Sequence, residues 1–233
     1  MLILITGAGK GIGRATALKC ADFASGLIIH SRTEVDLISL QKELLDKNQN
    51  LKVYICESEI STEEGINKLS EYCLQSGLLP DVLINNAGIF LQGSIIDPIE
   101  DNLEIMMDTN FYSVYHLTRA LLPEMIKRQS GTIVNMCSIA GLDYYPGGSH
   151  YCISKFALNG FSICLREECK PHGIRVVTVY PGATWSNSWK GVDLPKNRLM
   201  PAEDVAAMIC ATIQLGPDSV VEEIIMRPQL GDL

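Results

Sequence analysis

The sequence has little charge, and least of all positive charge. Charged residues make up 20% of the 233 positions, and 19 lysines and arginines stand against 27 acidic residues, which leaves a formal net charge of −8. Nucleic acids and anionic membrane surfaces attract the opposite sign. We therefore expect neither of them as the main partner of this chain.

Long apolar runs are also missing. No stretch approaches the roughly 18 consecutive apolar residues that a membrane-spanning helix needs, and no basic leader with a small-residue cleavage site precedes the first apolar run. The sequence predicts a soluble protein with a cytoplasmic location.

The eight cysteines show no spacing that is typical of a metal site. The sequence contains no Cys-x-x-Cys and no Cys/His cluster at zinc spacing. A chain of this length needs no disulfide framework to fold, so we expect mostly buried, reduced thiols, a reducing compartment and no metal.

Short apolar runs alternate with segments in which apolar residues recur every three or four positions. Such runs are typical of strands buried on both faces, and such segments are typical of helices. The alternation predicts an α/β fold, a doubly wound, Rossmann-type parallel sheet of about seven strands with helices on both faces. The predicted strands are 2–6, 26–30, 51–56, 81–85, 131–137, 175–180 and 220–226, and the predicted helices are 13–23, 34–45, 63–75, 100–128, 150–170 and 202–215.

No repeat and no linker rich in proline, glycine or serine divides the chain, so residues 1–233 are predicted to form one domain. One connection, residues 183–200, is long and contains both tryptophans, Trp185 and Trp189. Long loops inside compact domains are often binding loops or lids. We expect this segment to contact the substrate.

A glycine-rich turn follows the first predicted strand and opens the first helix. It reads Thr-Gly-x-x-x-Gly-x-Gly from Thr6 and matches neither Gly-x-Gly-x-x-Gly nor the Gly-x-x-x-x-Gly-Lys-Ser/Thr phosphate loop. Glycine permits positive φ and lets the backbone approach phosphates closely, and the helix N-terminus attracts them. The turn predicts a dinucleotide site that includes Gly7, Gly9, Lys10, Gly11 and Ile12.

The end of the second predicted strand indicates which nicotinamide cofactor binds. An acidic residue there would accept the ribose hydroxyls of NAD, but this chain has Ser31 and Arg32. An arginine can donate two charge-assisted hydrogen bonds to a 2′-phosphate, and Lys10 adds a second cation. These residues favour NADP(H).

Tyr151 and Lys155 are four positions apart in a predicted helix and so share one face. An ammonium about 4 Å from the phenol, at an effective dielectric constant near 20, would favour the phenolate by roughly 4 kcal/mol, or about three pKa units. The pair is therefore predicted to act as a general acid/base near neutral pH. Ser138, just past the fifth strand, is placed to bind a substrate carbonyl.

These motifs, together with Asn85-Asn86-Ala87-Gly88, Asn110 and Pro181-Gly182, resemble the compact single-domain short-chain dehydrogenase/reductase family over essentially the whole chain. The resemblance implies a catalytic tetrad. Tyr151 would exchange the proton, Lys155 would lower the tyrosine pKa and bind nicotinamide ribose hydroxyls, Ser138 would position the carbonyl, and Asn110 would hold a relay water.

The resemblance implies further cofactor contacts and an assembly. Glu59 and Ile60 would lie beside the adenine, where the family usually has aspartate and an apolar residue. Dimers or tetramers would form through the helices around 100–128 and 150–170. The remaining cofactor residues implied are Asn86, Ala87 and Gly88 on the adenosine side, and Pro181, Gly182 and Thr184 near the nicotinamide.

The carboxyl-terminal region from Val221, with a tryptophan in the 183–200 loop, is similar to the bacterial sepiapterin reductase-type members of the family. Those members reduce the side-chain carbonyls of a pterin. Trp185 or Trp189 could stack on a flat heterocycle, and Tyr144 or Tyr145 could close the other side.

The sequence as a whole predicts an NADPH-dependent reductase of a ketone or aldehyde, with a pterin side-chain carbonyl as the narrower substrate. One alternative is a 3-oxoacyl-carrier-protein reductase or another short-chain alcohol dehydrogenase, which a basic docking patch near the cleft would favour. A second is a non-catalytic NADPH sensor, which would have no need of a polarised tyrosine.

Overall fold

The computed structural model describes residues 1–185, 193–195 and 197–231, and places seven parallel strands in one sheet. The strands are β1 (Leu2–Ile5), β2 (Gly26–Ser31), β3 (Lys52–Glu57), β4 (Val82–Asn85), β5 (Gly131–Met136), β6 (Ile174–Pro181) and β7 (Glu223–Met226). Their spatial order is β3-β2-β1-β4-β5-β6-β7. The first three strands therefore extend the sheet in one direction from β1, and β4 to β7 extend it in the other.

Helices cover both faces of the sheet. They are α1 (Gly11–Cys20), α2 (Glu34–Lys47), α3 (Glu63–Gln75), α4 (Asn102–Met107), α5 (Ser113–Arg128), α6 (Ser149–Cys169) and α7 (Ala202–Ile213). Side chains alternate along a strand, so Ile3 and Ile5 pack with α1, α2 and α7, whereas Leu4 packs with α3, α5 and α6. Because both faces are covered, most strand positions are apolar, as the sequence indicated.

The predicted fold class is confirmed, and one helix differs from its prediction. The segment predicted as a single helix over 100–128 is α4 and α5 joined by a π-helical turn, Asp108–Tyr112. A π turn inserts an extra residue into the helical repeat and often occurs at functional sites. Here it carries Asn110.

The cysteines are free thiols, as predicted. All except the exposed Cys164 are buried, and the Sγ atoms of Cys20 on α1 and Cys210 on α7 lie 3.5 Å apart. Within the described residues, no three His, Cys, Asp or Glu side chains are grouped to hold a metal ion. No helix of that part of the chain is long and apolar enough to span a membrane.

Parallel strands end at the same edge of a sheet, and the ligand sites of doubly wound folds lie there. In this chain the carboxyl edge receives the glycine turn after β1, Ser31 and Arg32 at the end of β2, the Asn86–Gly88 loop after β4 and Ser138 after β5. Sequence segments far apart in the chain thus meet at one edge.

Candidate active site

Tyr151 lies in the first turn of α6, next to the carboxyl end of β5. Burial raises the pKa of the Tyr151 hydroxyl to about 12, and a hydrogen bond with the Ser138 side chain opposes that rise. A phenol with such a pKa is protonated at neutral pH. The side chain is therefore ready to donate a proton.

Lys155 follows one turn later and is 4% exposed. Its Nζ lies 5.7 Å from the centre of the Tyr151 ring and donates a 2.8 Å hydrogen bond to the carbonyl of Met136. Burial lowers the pKa of the Lys155 ammonium. Burial is the largest cause of the raised Tyr151 pKa, and the Lys155 ammonium faces a carbonyl of β5. That Lys155 lowers the pKa of Tyr151 stays a prediction.

Ser138 follows β5 in an extended conformation and caps a short 3-10 turn, Ile139–Gly141. Its Oγ accepts a 3.1 Å hydrogen bond from the Ala140 amide and lies 3.5 Å from the carbonyl of Pro181. These contacts fix the hydroxyl between the ends of β5 and β6. From there it also bonds with Tyr151.

Asn110 is fully buried in the π turn. Its Oδ1 accepts from the Ile89 amide at 2.8 Å, and its Nδ2 donates to the Ile89 carbonyl and to Ser154 Oγ, both at 3.0 Å. The side chain thereby ties the loop after β4 to α6. A Cβ at Gly88 would lie 3.1 Å from Asn110 Oδ1 and 3.6 Å from Lys155 Nζ, so glycine leaves this space open.

Two further aromatic rings lie at Tyr151, and the sequence had indicated only one of them, Tyr145. The Phe90 ring meets the Tyr151 ring edge-on, with centroids 5.2 Å apart, and meets the Tyr145 ring edge-on at 6.0 Å. A Cβ at Gly148 would lie 2.6 Å from Tyr145 Cδ1 and 3.3 Å from Phe90 Cε2. The only sequence signal for Phe90 was its place two residues past Gly88, in a loop at the carboxyl edge.

The glycine turn is fastened to the loop after β4. Thr6 Oγ1 accepts from the amides of Asn86 and Ala87 at 2.9 and 3.0 Å. The Asn86 Nδ2 donates back to the carbonyls of Thr6 and Gly7 at 2.9 and 3.2 Å. Two loops about 80 positions apart in the chain therefore form one rigid unit.

Two glycines of the turn are required by this close approach. Gly7 has φ +64°, and a Cβ there would lie 2.9 Å from Ala87 Cα. A Cβ at Gly13 would lie 2.4 Å from both Asn86 Nδ2 and the Gly7 carbonyl oxygen. The backbone thus packs against backbone at the N-terminus of α1.

The two cations predicted to bind a 2′-phosphate each face a carboxylate. Lys10 Nζ is 2.9 Å from Asp36 Oδ2, and Arg32 Nη1 is 3.6 Å from Glu59 Oε2. The sequence has no carboxylate at the end of β2 and predicts that Lys10 and Arg32 form a small positive cluster. The structure corrects that interpretation, because two acidic side chains from α2 and from the loop after β3 enter the cluster.

The remaining predicted residues are spread along the carboxyl edge. Ile60 is buried, and Pro181 and Thr184 are buried at the end of β6 and just beyond it. The Gly182 amide donates to the Met226 carbonyl at 2.7 Å. Trp185 is half-buried, and its amide donates to the carbonyl of Met200 at 2.9 Å. Trp189 lies outside the described residues.

A family model described as short chain dehydrogenase matches residues 1–196. The chain belongs to the short chain dehydrogenase family. The model covers the glycine turn and all four residues of the predicted tetrad.

Similar proteins within this family differ in their substrates. The chain is 34% identical to a sepiapterin reductase of Chlorobaculum tepidum, over 100% of this chain and 98% of the relative. It is 30% identical to a 3-oxoacyl-acyl-carrier-protein reductase of Haemophilus influenzae, over 89% of this chain and 88% of the relative.

A solved short-chain dehydrogenase of Sphingobium yanoikuyae, in complex with NADPH, has the same fold. It superposes with a TM-score of 0.85 at 27% identity, and the match covers 96% of this chain and 87% of that one.

Proposed function

We propose that this short chain dehydrogenase is an NADP(H)-dependent carbonyl reductase in which Tyr151 is the general acid. The observation that carries the proposal is the meeting of Tyr151, Lys155 and Ser138 at the carboxyl edge of the sheet, with Lys155 Nζ 5.7 Å from the centre of the Tyr151 ring and Ser138 just past β5. Reduction of a carbonyl requires a proton donor at the developing alkoxide. A tyrosine with a pKa near 12 holds its proton until such a base forms.

The residues present fit a dinucleotide. The first turn of α1 contains no acidic residue, and the side chain of its N-cap residue, Lys10, makes no capping hydrogen bond. Neither group therefore competes with a phosphate for the backbone amides of this turn. Gly7, Gly9, Gly11 and Ile12 would line the pyrophosphate, Asn86 and Ala87 the adenosine, and Pro181, Gly182 and Thr184 the nicotinamide. When bound, NADPH supplies the hydride.

The chain's own residues divide the remaining work. Ser138 Oγ would donate to the substrate carbonyl oxygen, and Tyr151 would donate the proton to the same atom. Lys155 lies on the Gly88 side of Tyr151, where it would bind the nicotinamide ribose and favour the phenolate that proton transfer leaves behind. Asn110, placed within reach of the same space, would hold the relay water.

A flat carbonyl substrate suits the aromatic surroundings of Tyr151. The Phe90 ring contacts the rings of both Tyr151 and Tyr145, and Trp185 lies just past β6. Stacking on aromatic side chains binds a heterocycle well. The full-length similarity to a sepiapterin reductase supports a pterin side-chain carbonyl as the substrate.

The charge of the segment that follows the Asn86–Gly88 loop disfavours an acyl carrier protein substrate. Residues 89–113 contain five acidic residues and no lysine or arginine. A basic docking patch would favour a carrier-protein ketone, and this segment has the opposite sign.

Turnover with a substrate panel tests the proposal. NADPH oxidation is followed with sepiapterin, a simple diketone and a 3-oxoacyl thioester, each against a reaction without carbonyl compound. We expect the highest kcat/KM with sepiapterin. The highest value with the thioester would support the acyl reductase instead. NADPH binding without turnover of any compound would support a sensor.

The variant Arg32→Ala tests the proposal that the cofactor is NADP(H). We expect its NADPH affinity to fall about tenfold or more, as for loss of a charge-assisted hydrogen bond, while NADH affinity changes little. Fluorescence titration measures both, with Arg119→Ala on α5 as the control. Equal losses for both cofactors would contradict a contact between Arg32 and the 2′-phosphate.

We further propose that the chain assembles through α6. Its Ile153, Phe156 and Ile163 are exposed and lie three and seven positions apart, on one face of the helix. A homodimer or homotetramer would cover them. Sedimentation velocity measures the assembly, and Phe156→Glu should shift it towards the monomer.

A further inference from the structure

The site proposed for the 2′-phosphate is close to neutral. Two cations, Lys10 and Arg32, are matched there by two carboxylates at ion-pair distance. A nucleotide phosphate brings about two negative charges, so it gains most from a site with surplus positive charge. These paired cations offer no such surplus.

Asp36 occupies the centre of this region. It lies in the first turn of α2, and a Cβ at Gly9 would meet Asp36 Cβ at 3.0 Å and Ser31 Oγ at 3.1 Å. Its carboxylate is thus next to the glycine turn and to the hydroxyl at the end of β2. The Asp36 side chain is 25% exposed and that of Lys10 is 56% exposed, so solvent screens the carboxylate less than its partner.

Glu59 is held in place by its own hydrogen bonds. Its Oε1 accepts from the amide and the hydroxyl of Ser61, at 3.3 and 3.0 Å, while Oε2 faces Arg32. The carboxylate therefore stays near Arg32 when the guanidinium turns towards another anion. A bound 2′-phosphate would be near that fixed negative charge.

We propose that Asp36 and Glu59 are specificity-determining residues that limit the preference of this enzyme for NADP(H) over NAD(H). The proposal rests on the NADP(H) use proposed above. The 2′-phosphate has to compete with Asp36 for Lys10 and with Glu59 for Arg32, whereas NAD(H), which lacks this phosphate, has no such competition. Asp36 has the larger effect, because it is closer to its cation and less exposed.

Equilibrium binding separates this effect from catalysis. Isothermal titration calorimetry is done on the wild type, Asp36→Asn and Glu59→Gln, with NADPH, NADH, adenosine 2′,5′-bisphosphate and 5′-AMP. The two adenosine nucleotides differ only in the 2′-phosphate. We expect Asp36→Asn to tighten NADPH and the bisphosphate about two- to fivefold, the range for a partly exposed charge, with little change for NADH and 5′-AMP. Glu59→Gln should raise the ratio of bisphosphate to 5′-AMP affinity less strongly. This ratio cancels any change in the adenine contact expected for Glu59, because both nucleotides contain the adenine.

Two variants serve as controls. Asp36→Glu keeps the charge and should bind all four ligands as the wild type does. Asp22→Asn removes a carboxylate that pairs with Lys47 at 2.8 Å, an exposed ion pair of the same kind at the opposite end of α1 and α2. Asp22→Asn should leave all four affinities unchanged. The increase in NADPH affinity of Asp36→Asn should become smaller at high salt, because salt screens exposed charges.

The outcomes distinguish this inference from the proposed function. If the wild type binds neither NADPH nor the bisphosphate, the proposed cofactor is wrong. If it binds NADPH and Asp36→Asn leaves the ratio of bisphosphate to 5′-AMP affinity unchanged, only the inference is overturned. A loss of NADH affinity in Asp36→Asn would also overturn it, because Asp36 would then bind the ribose hydroxyls.

Discussion

Around Tyr151 the polar groups are buried and bonded to neutral partners, whereas around Arg32 they are exposed and paired with opposite charges. Lys155 faces a backbone carbonyl, and Asn110 bonds to Ile89 and Ser154. Arg32 and Lys10 have side chains that are 68% and 56% exposed. One edge of one sheet thus contains two electrostatic environments.

The two environments lie at two ends of the carboxyl edge, a Tyr151 end and an Arg32 end, and they affect the enzyme in different ways. In a buried region the effective dielectric constant is well below that of water, so each electrostatic interaction is strong. Loss of solvation there also shifts the pKa values of titratable groups. At an exposed region salt and water screen the charges, so each pair contributes little. We expect substitutions at the Tyr151 end to abolish chemistry and those at the Arg32 end to adjust affinity.

The largest effect is expected for Tyr151→Phe, which removes the proton donor and keeps the ring. General acid catalysis contributes roughly 100- to 10,000-fold, so kcat should fall by that factor while NADPH affinity stays unchanged. Stopped-flow turnover and fluorescence titration measure the two quantities. Tyr144→Phe, at an exposed tyrosine, should behave as the wild type. A Tyr151→Phe variant with near-normal kcat would remove the distinction between the two ends.

A buried histidine beneath the exposed end tests the role of desolvation there. His30 on β2 donates through Nε2 to the Ser58 carbonyl at 3.1 Å, and its Nδ1 has no hydrogen-bond partner among the described residues. Burial lowers its pKa from 6.5 to about 4. The unfolded chain therefore takes up the proton near pH 6.5, and the folded chain takes it up only near pH 4.

Stability that the neutral histidine contributes above pH 6.5 should be lost as the pH falls from 6.5 to 4. The shift corresponds to about 3 kcal/mol in the free energy of unfolding. Urea denaturation across this range measures it. His30→Gln should flatten the pH dependence, and His116→Gln, at an exposed position, should not. An unchanged slope in His30→Gln would show that other groups cause the acid sensitivity.

Gly13→Ala tests the rigid unit that joins the two ends. The added Cβ would lie 2.4 Å from Asn86 Nδ2 and from the Gly7 carbonyl, so we expect a loss of about 1–3 kcal/mol in stability, as for overpacking, and weaker NADPH binding. Thermal denaturation and titration measure both. At Gly216 a Cβ would have nothing within 4 Å, so Gly216→Ala is the matched control. Equal stability of the two variants would contradict the close packing.

The smallest effect is expected for Phe90→Leu, which replaces an aromatic contact with an aliphatic one. An edge-on aromatic pair contributes about 0.5–1.5 kcal/mol, so kcat should fall about two- to tenfold, with NADPH affinity unchanged. Steady-state kinetics with aromatic and aliphatic carbonyls measure it, and Phe23→Leu, just past the C-terminus of α1, is the control. A decrease in NADPH affinity instead would place Phe90 on the cofactor side.

The fold could be predicted because its signals are local. Each strand reads as an apolar run and each helix as a three-to-four repeat, and together they indicate one topology. The π turn at Asp108–Tyr112 was not predicted, because a single inserted residue hardly changes the apolar spacing of a long helix. That the whole chain is one domain stays a prediction.

The site could be predicted only in part, because partners depend on the tertiary structure. The spacing of Tyr151 and Lys155 placed them on one face, but the rotamer of Lys155 is set by the carbonyl of Met136. The signs of Lys10 and Arg32 were clear from sequence. Their pairing with Asp36 and Glu59 depends on which elements end at the same edge, which no local pattern contains.

The bonds between Thr6 and the Asn86–Ala87 loop also have a consequence for the order of folding. While the chain is synthesised from its N-terminus, the glycine turn emerges long before the loop that fixes it. Contacts between distant segments form late, because a large loop has to close first. We expect a nascent chain that ends before β4 to be unable to bind the nucleotide, even when its first helices have formed, because its glycine turn is not yet held in place. Cofactor would then begin to stabilise the protein only after its central strand has joined the sheet.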